Sequence, residues 1–376
     1  MSRKKILFVI ESLHLGGGEK SLVTLLNNLD YEQLEVDLLL FNRGGIFEKF
    51  LPEQVRILDG ENPRLNLVER ILYKSGKMLH FGKLHEAQLF WKIAGRKTQP
   101  LAGHYDVAIA YNQQFPTYFV AEKINAAKKL AWMNTLYISA GYNADFDWPY
   151  FQKFSTVVGV SAEAVDSLNS AFKTAGYPLN TALVKDIIDT EMIARQAEES
   201  QAIPFTRDTL NIVTVCRLAA PKGLEIAIGA AELLQREGIN FRWYVIGEGS
   251  ERPHLEQLIA KKGLTERFLM PGSTDNPYPY MKNCDIYVQT SLVEGLGMSV
   301  IEAVILQKPV VCTNFETATR IVTEYDRVVP KDAKSVFEAI LYFMENAEKR
   351  SRNRSGVIKI DEDKRTSLEM FTKLRE

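Results

Sequence analysis

Asn211-Ile212-Val213-Thr214-Val215-Cys216 runs into Arg217-Leu218-Ala219-Ala220-Pro221-Lys222-Gly223, and then into Leu224-Glu225-Ile226-Ala227-Ile228. The first six residues are an almost unbroken apolar run, as expected of a strand covered on both faces of a parallel sheet. From Leu224 the period changes. Leu224, Ala227, Ile228, Ala231 and Leu234 recur at three- and four-residue spacing, with Glu225, Glu232 and Arg236 on the opposite side. Pro221 stands where a first helical turn tolerates it. Strand, glycine-bearing turn and amphipathic helix follow one another here within 26 residues.

The same alternation runs outward in both directions. Strands are expected at 5–10, 36–41, 55–58, 106–110, 129–132 and 156–160, then at 182–185, 211–216, 241–246, 267–270, 285–289 and 309–312. Strands alternating with helices imply parallel sheets with right-handed crossovers. The expected fold class is α/β, with two Rossmann-like domains. Gly176, Pro178 and Asn180 break the pattern and place the boundary near 177–181, giving domains 1–180 and 181–361. A last charged helix near 362–376 is free to join either one. The length of 376 residues, at about 150 per domain, agrees with two.

Composition narrows the function classes. Lys plus Arg (46) nearly cancel Asp plus Glu (47), so the net charge of -1 gives no global reason to bind nucleic acid. Cys216, Cys284 and Cys312 are too few and too scattered for a disulfide framework or a zinc ribbon, and read as buried thiols. Ser2-Arg3-Lys4-Lys5 precedes an apolar stretch that Glu11 stops after five residues, short of the seven or so that a secretion signal needs. No run of about 18 apolar residues occurs, so no membrane span is expected. The chain is expected in the cytoplasm, either free or peripheral on the inner face of the cell membrane.

Three loops follow strands of the second half, at the sheet edge where open α/β folds bind ligands. In the first, Arg217 and Lys222 flank a helix start and suit a polyanion such as a diphosphate; ordinary solvated charge is the competing reading. The second, Gly247-Glu248-Gly249-Ser250, permits a sharp strand-to-helix turn and is equally readable as structural. It is not GxGxxG, so nothing points to a dinucleotide cofactor. The third is Glu294-Gly295-Leu296-Gly297-Met298-Ser299-Val300-Ile301-Glu302. Its helix start offers free N–H groups to a phosphate. Glu302 lies about 6 Å further along the axis, near a phosphate-to-ribose distance, and Glu294 lies on the other side of the turn. Two surface glutamates beside a tight turn is the alternative.

In this order, the Arg217…Lys222-Gly223 loop, Gly247-Glu248-Gly249 and Glu294-x7-Glu302 resemble the donor-binding half of retaining GT-B glycosyltransferases, family GT4. Gly16-Gly17-Gly18-Glu19-Lys20 is similar to that family's first glycine-rich loop, and Val160-Ser161 and Ile187-Ile188-Asp189 to its landmarks further on. The resemblance implies two domains facing a cleft, with a nucleotide-sugar as substrate and neither cofactor nor metal required. It implies that Arg217 and Lys222 hold the diphosphate, that the backbone over Gly295, Leu296, Gly297 and Met298 meets the distal phosphate, and that Glu294 contacts donor-sugar hydroxyls. Glu302 would contact the ribose. Gly16, Gly17 and Gly18 would approach the phosphates, Gly247 would belong to the donor site, and backbone near Gly272 would serve the nucleobase. Retention by front-face attack is implied, so no carboxylate nucleophile is assigned.

Three departures from the pattern stand out. Asn134 occupies the position of a histidine found in many relatives, and an amide does not titrate near neutral pH. Asp186 stands where relatives often carry asparagine, and Thr313–Thr317 lacks the usual glycine pair. Asn134 and His14 are the acceptor-side candidates. Asp145-Phe146-Asp147 superficially resembles a metal-binding DxD string and reads better as a pair of loop acids. His80, His85, His104 and His254 read as surface or helix residues.

Between Arg64 and Lys97, eight cations face only Glu69 and Glu86, a net +6. Val68, Ile71, Leu72 and later Ala87, Phe90, Trp91, Ala94 recur at helical spacing. Such basic amphipathic helices favour an anionic membrane surface; a helix pair with a buried apolar side is the competing reading. The sequence leads to a retaining, metal-independent glycosyltransferase using a UDP- or GDP-sugar and a saccharide acceptor, lipid-linked, in surface-polysaccharide biosynthesis. A non-catalytic GT-B partner that binds glycan, and a sugar-nucleotide epimerase, are the alternatives.

Overall fold

The computed structural model describes residues 3–14, 16–78, 84–199, 205–206, 208–346 and 360–376. Two compact units emerge, one built mainly from the chain up to Ile188 together with Asp361–Glu376, the other spanning Asp189–Ile360.

The first unit is a seven-stranded sheet of β1 (Lys4–Ser12), β2 (Leu34–Asn42), β3 (Val55–Asp59), β4 (Tyr105–Ala110), β5 (Ala126–Met133), β6 (Thr156–Gly159) and β7 (Thr181–Leu183). Their order is β3-β2-β1-β4-β5-β6-β7, and every pairing is parallel. Its helices are α1 (Gly17–Leu26), α2 (Leu67–Met78), α3 (Glu86–Ala94), α4 (Phe115–Lys123), α5 (Ala144–Phe151) and α6 (Ala162–Thr174). The core gathers Leu7, Val9 and Leu39 from the central strands against Tyr118, Phe119 and Phe172 from the helices.

The second unit opens with α7 (Thr190–Ala197) and continues through β8 (Leu210–Val215), α8 (Leu224–Arg236), β9 (Phe241–Ile246), α9 (Arg252–Lys261), β10 (Phe268–Gly272) and α10 (Tyr278–Asn283). It is completed by β11 (Ile286–Gln289), α11 (Met298–Ile305), β12 (Val310–Thr313), α12 (Ala318–Ile321), β13 (Arg327–Val329) and α13 (Ala333–Glu345). The six strands run β10-β9-β8-β11-β12-β13, again all parallel. In both sheets the order reverses beside the first strand, which opens a crevice at the C-terminal strand ends. Both units are Rossmann-like, as the alternation of strands and helices requires.

Three details differ from the sequence expectation. The strand expected to open the second half, 182–185, is β7 and closes the first sheet by pairing with β6, because Val157 and Gly159 offer it an open edge. Pro221 lies in a separate 3-10 turn (Ala220–Lys222), and α8 starts after it at Leu224 with Gly223 as its cap. β13 had no counterpart in the reading. The last helix, α14 (Ile360–Arg375), returns to the first unit, where Phe371 stacks on Phe8 at 6.0 Å and leans on Trp132 at 6.2 Å. Lys4 Nζ fixes its end by donating to the Arg375 carbonyl at 2.8 Å. Among the described residues no helix is long and apolar enough to cross a membrane. All three cysteines are buried, and burial pushes each thiol up to about 12.

Asp186 lies just beyond β7. It is buried and accepts from Ser21 Oγ at 2.5 Å, and that hydroxyl also meets Tyr111 OH at 3.0 Å. Burial raises its carboxyl from the ordinary 3.8 to about 6, with the Ser21 hydrogen bond opposing. The folded state therefore holds this proton more tightly than the unfolded one. The resulting stabilisation is complete below 3.8 and is lost as pH rises through 6. Asp186→Asn keeps an acceptor for Ser21 without the buried charge. It should raise stability by about 1–3 kcal/mol near pH 7.5, and urea titrations should show that gain shrinking steadily toward pH ~4.

Candidate donor-binding site

The crevice of the second sheet lies between β8 and β11, and the loops leaving those two strands are tied together. Lys222 Nζ meets Glu294 Oε1 at 2.6 Å, with the two side chains only 18% and 11% exposed. The same oxygen accepts from Ser291 Oγ at 2.6 Å and Gln289 Nε2 at 3.2 Å. All three donors converge on Oε1, so among the described residues Oε2 has no protein partner. Gln289 is in turn held by Tyr287 OH, which donates to its Oε1 at 3.0 Å.

Backbone contacts draw the two loops closer still. Leu292 N donates to the Pro221 carbonyl at 2.8 Å, and Thr290 Oγ1 to the Lys222 carbonyl at 3.2 Å. Gly223 has φ +58°, and a Cβ on it would stand 2.3 Å from the Thr290 carbonyl oxygen. Only glycine fits there. Arg217 is exposed at the mouth of the same loop. Its charge, with those of Lys222 and Glu294, reaches the Cys216 thiol, although burial dominates that thiol's titration.

The glycine turns stitch the neighbouring loop to this one. Gly247 N donates to the Gly272 carbonyl at 2.9 Å, and Leu218 N to the Glu248 carbonyl at 2.9 Å. A Cβ on Gly247 would come within 1.9 Å of the Cys216 carbonyl oxygen. Gly272 has φ +104° and faces Glu248. The third loop ends at Gly297, which has φ +82°, caps α11 without any side-chain hydrogen bond and packs against Ile321 and Phe315. Gly295, Leu296 and Met298 are half-buried around this helix start, which no side chain caps. Glu302 is buried one turn further along and accepts from Tyr278 OH at 3.4 Å. The unusual 313–317 segment closes the loop from its far side: Thr313 Oγ1 donates to the Ser291 carbonyl at 2.5 Å and Thr317 Oγ1 to the Leu296 carbonyl at 3.2 Å.

Gly17 opens α1 and Gly16 precedes it half-buried, both grouped with the second unit, while in the first unit a Cβ on Gly18 would stand 2.9 Å from Asn134 Nδ2. That amide donates to the Tyr111 carbonyl at 2.9 Å, and Asn134 Oδ1 is buried without a hydrogen-bond partner. His14 is exposed on the bend beyond β1. Asp145 and Asp147 lie on α5, not in a loop. Asp147 is buried beneath Tyr118 OH (2.8 Å) and Tyr137 OH (2.6 Å), and burial lifts its carboxyl to about 6, while Asp145 accepts from Tyr177 OH at 3.0 Å. His85 caps α3 and stacks on Tyr142, and His254 pairs with Glu225. His80 lies outside the described residues.

The 64–97 stretch divides. α3 buries Leu89, Trp91 and Ala94 in the core, so its apolar side is not available to a membrane. α2 does the opposite, exposing Val68, Ile71 and Leu72. Lys83 lies outside the described residues, as does the Lys77 side chain. Gln289 and Ser291 escaped the sequence reading. A signal was available, because Tyr287 and Gln289 alternate along the strand expected at 285–289 and Ser291 continues that alternation just beyond it.

Residues 195–358 match the family model for Glycosyl transferases group 1. An uncharacterized glycosyltransferase of Methanocaldococcus jannaschii is 26% identical over 177 residues, 46% of this chain and 43% of that protein. The N-acetylgalactosamine-N,N'-diacetylbacillosaminyl-diphospho-undecaprenol 4-alpha-N-acetylgalactosaminyltransferase of Campylobacter jejuni is 25% identical over 334 residues, 84% of this chain and 82% of that protein. Anabaena HepE, crystallised with UDP and glucose, shares the fold at a TM-score of 0.73 and 17% identity, over 99% of this chain and all of HepE. The fold is GT-B, and the family match and relatives support a glycosyltransferase.

The close approach at Gly223 is directly testable. Gly223→Ala forces a Cβ onto the Thr290 carbonyl and strains a left-handed backbone, so calorimetry should show a loss of about 1–3 kcal/mol.

Proposed function

We propose that the chain is a retaining, metal-independent glycosyltransferase that moves a hexose-type sugar from a UDP- or GDP-sugar to a lipid-linked saccharide acceptor in surface-polysaccharide biosynthesis. The observation that carries this reading is the Lys222–Glu294 pair at the strand-order reversal of the second sheet. A diphosphate drawn to Lys222 and Arg217 brings the attached sugar beside Glu294. There, three donors on Oε1 fix the carboxylate and Oε2 accepts from sugar hydroxyls. The distal phosphate meets the uncapped start of α11 around Leu296–Met298. As the nucleoside diphosphate departs, negative charge builds where two cations and a helix N-terminus already stand, and no reorganisation is needed.

UDP is the first nucleotide to test, because HepE was crystallised with it. The Campylobacter relative's diphospho-undecaprenol-linked acceptor supports a lipid-linked acceptor here. Gly16–Gly18 approach the donor phosphates in this reading, and Asn134 and His14 are the acceptor-side candidates. Glu302 serves the ribose after its side chain leaves Tyr278.

Purified chain should release nucleoside diphosphate only when acceptor is present. Acceptor-independent conversion would mark an epimerase, and binding alone a non-catalytic partner. Glu294→Gln should cut turnover by about tenfold or more, through loss of a charged acceptor worth ~1.5–3 kcal/mol. Arg217→Ala should weaken UDP binding by a similar factor in calorimetric titration. Unchanged values in both variants would remove the assignment.

A further inference from the structure

Helix α2 is inside out. The residues it turns toward α3 are polar or small: Glu69 accepts from Lys97 Nζ at 2.6 Å, Tyr73 OH donates to Glu86 Oε1 at 2.6 Å, and Gly76 packs on Leu89. Asn66 and Glu69 cap the start reciprocally, each side chain accepting from the other's backbone N–H at 2.9 and 2.8 Å. On the opposite side Leu67, Val68, Ile71 and Leu72 are 73%, 64%, 58% and 56% exposed. At 100° per residue these four fill one arc of about 140°. Leu67, Val68 and Ile71 are the three most exposed large apolar side chains of the described residues, and Leu72 shares the next place with Ile138. Four contiguous aliphatic side chains facing water mark a surface meant to be covered.

The charge around the row identifies the cover. Arg70 and Lys74 flank its edge on the helical wheel and Arg64 stands just ahead of it, all three exposed. On α2 itself the only acid is Glu69, already engaged by Lys97 on the inward side. Aliphatic residues bounded by unopposed cations fit a bilayer interface with anionic headgroups, into which such a helix sinks one face while its cations stay at phosphate level. We propose that α2 lies in the surface of an anionic lipid membrane, with Leu67, Val68, Ile71 and Leu72 in the acyl boundary. The inference rests on α2 alone, so lipid binding and sugar transfer fail independently.

Sedimentation with vesicles tests it. The intact chain should pellet with vesicles of phosphatidylcholine plus phosphatidylglycerol, far less with phosphatidylcholine alone, and progressively less as salt rises. Arg70→Gln with Lys74→Gln should weaken binding about 30-fold, from about a fivefold loss per cation. Val68→Ser with Ile71→Ser should abolish it while leaving the melting temperature unchanged, since neither side chain packs on the protein's own core. Equal binding to both vesicle types, or to neither, overturns the proposal. So does a dimer in ultracentrifugation that the serine variant dissolves, because the row would then be an interface between copies of the chain. A clear fall in melting temperature for the serine variant would equally place the row in the protein's own packing and overturn it.

Discussion

The ion pair between Lys222 and Glu294 is the constraint on which the second unit's chemistry depends. The two residues are 72 positions apart and meet because β8 and β11 are neighbours across the point where the strand order reverses. A cation and a carboxylate that close would be costly to hide singly, and each compensates the other at the bottom of an open crevice. The hydrogen bonds from Ser291 and Gln289 fix the carboxylate's direction, and the glycine at 223 lets one loop touch the backbone of the other. Remove any one of these and the remaining groups lose their common origin.

Much of this was legible in the chain. Apolar runs of four to six residues gave eleven of the strands to within a residue or two, because a strand covered on both faces has no choice but to be apolar. The three loops were legible through glycine, whose positive φ at 223, 247 and 297 is a demand no other residue meets cheaply. β13 was not legible. It has three half-buried residues, Arg327–Val329, and its position is set by Asp326, which binds Val310 N and Thr323 N, rather than by a pattern of its own. The direct Lys222–Glu294 ion pair was not legible either, since the resemblance brings both loops to one donor site but local sequence does not say that the two side chains meet.

The basic stretch shows how far periodicity misleads. α2 and α3 carry apolar residues at the same spacing, yet one buries them and the other exposes them. What differs is the other side of each helix. In α3, Gln88 reaches across to the Asn143 carbonyl and Trp91 stacks among Phe115 and Tyr118, so the apolar side is the inner one. In α2 the inner contacts are made by Glu69, Tyr73 and Gly76, and the aliphatic side has nowhere inside to go.

The return of α14 has a consequence for how the molecule is made. The first unit emerges first from the ribosome, but Phe8 and Trp132 wait for Phe371, which is synthesised after the whole of the second unit. Domains generally close in order of emergence. Here the earlier one stays incomplete, with aromatic surface uncovered, until the second unit has been made, so the nascent chain is open to misassociation throughout the second unit's synthesis.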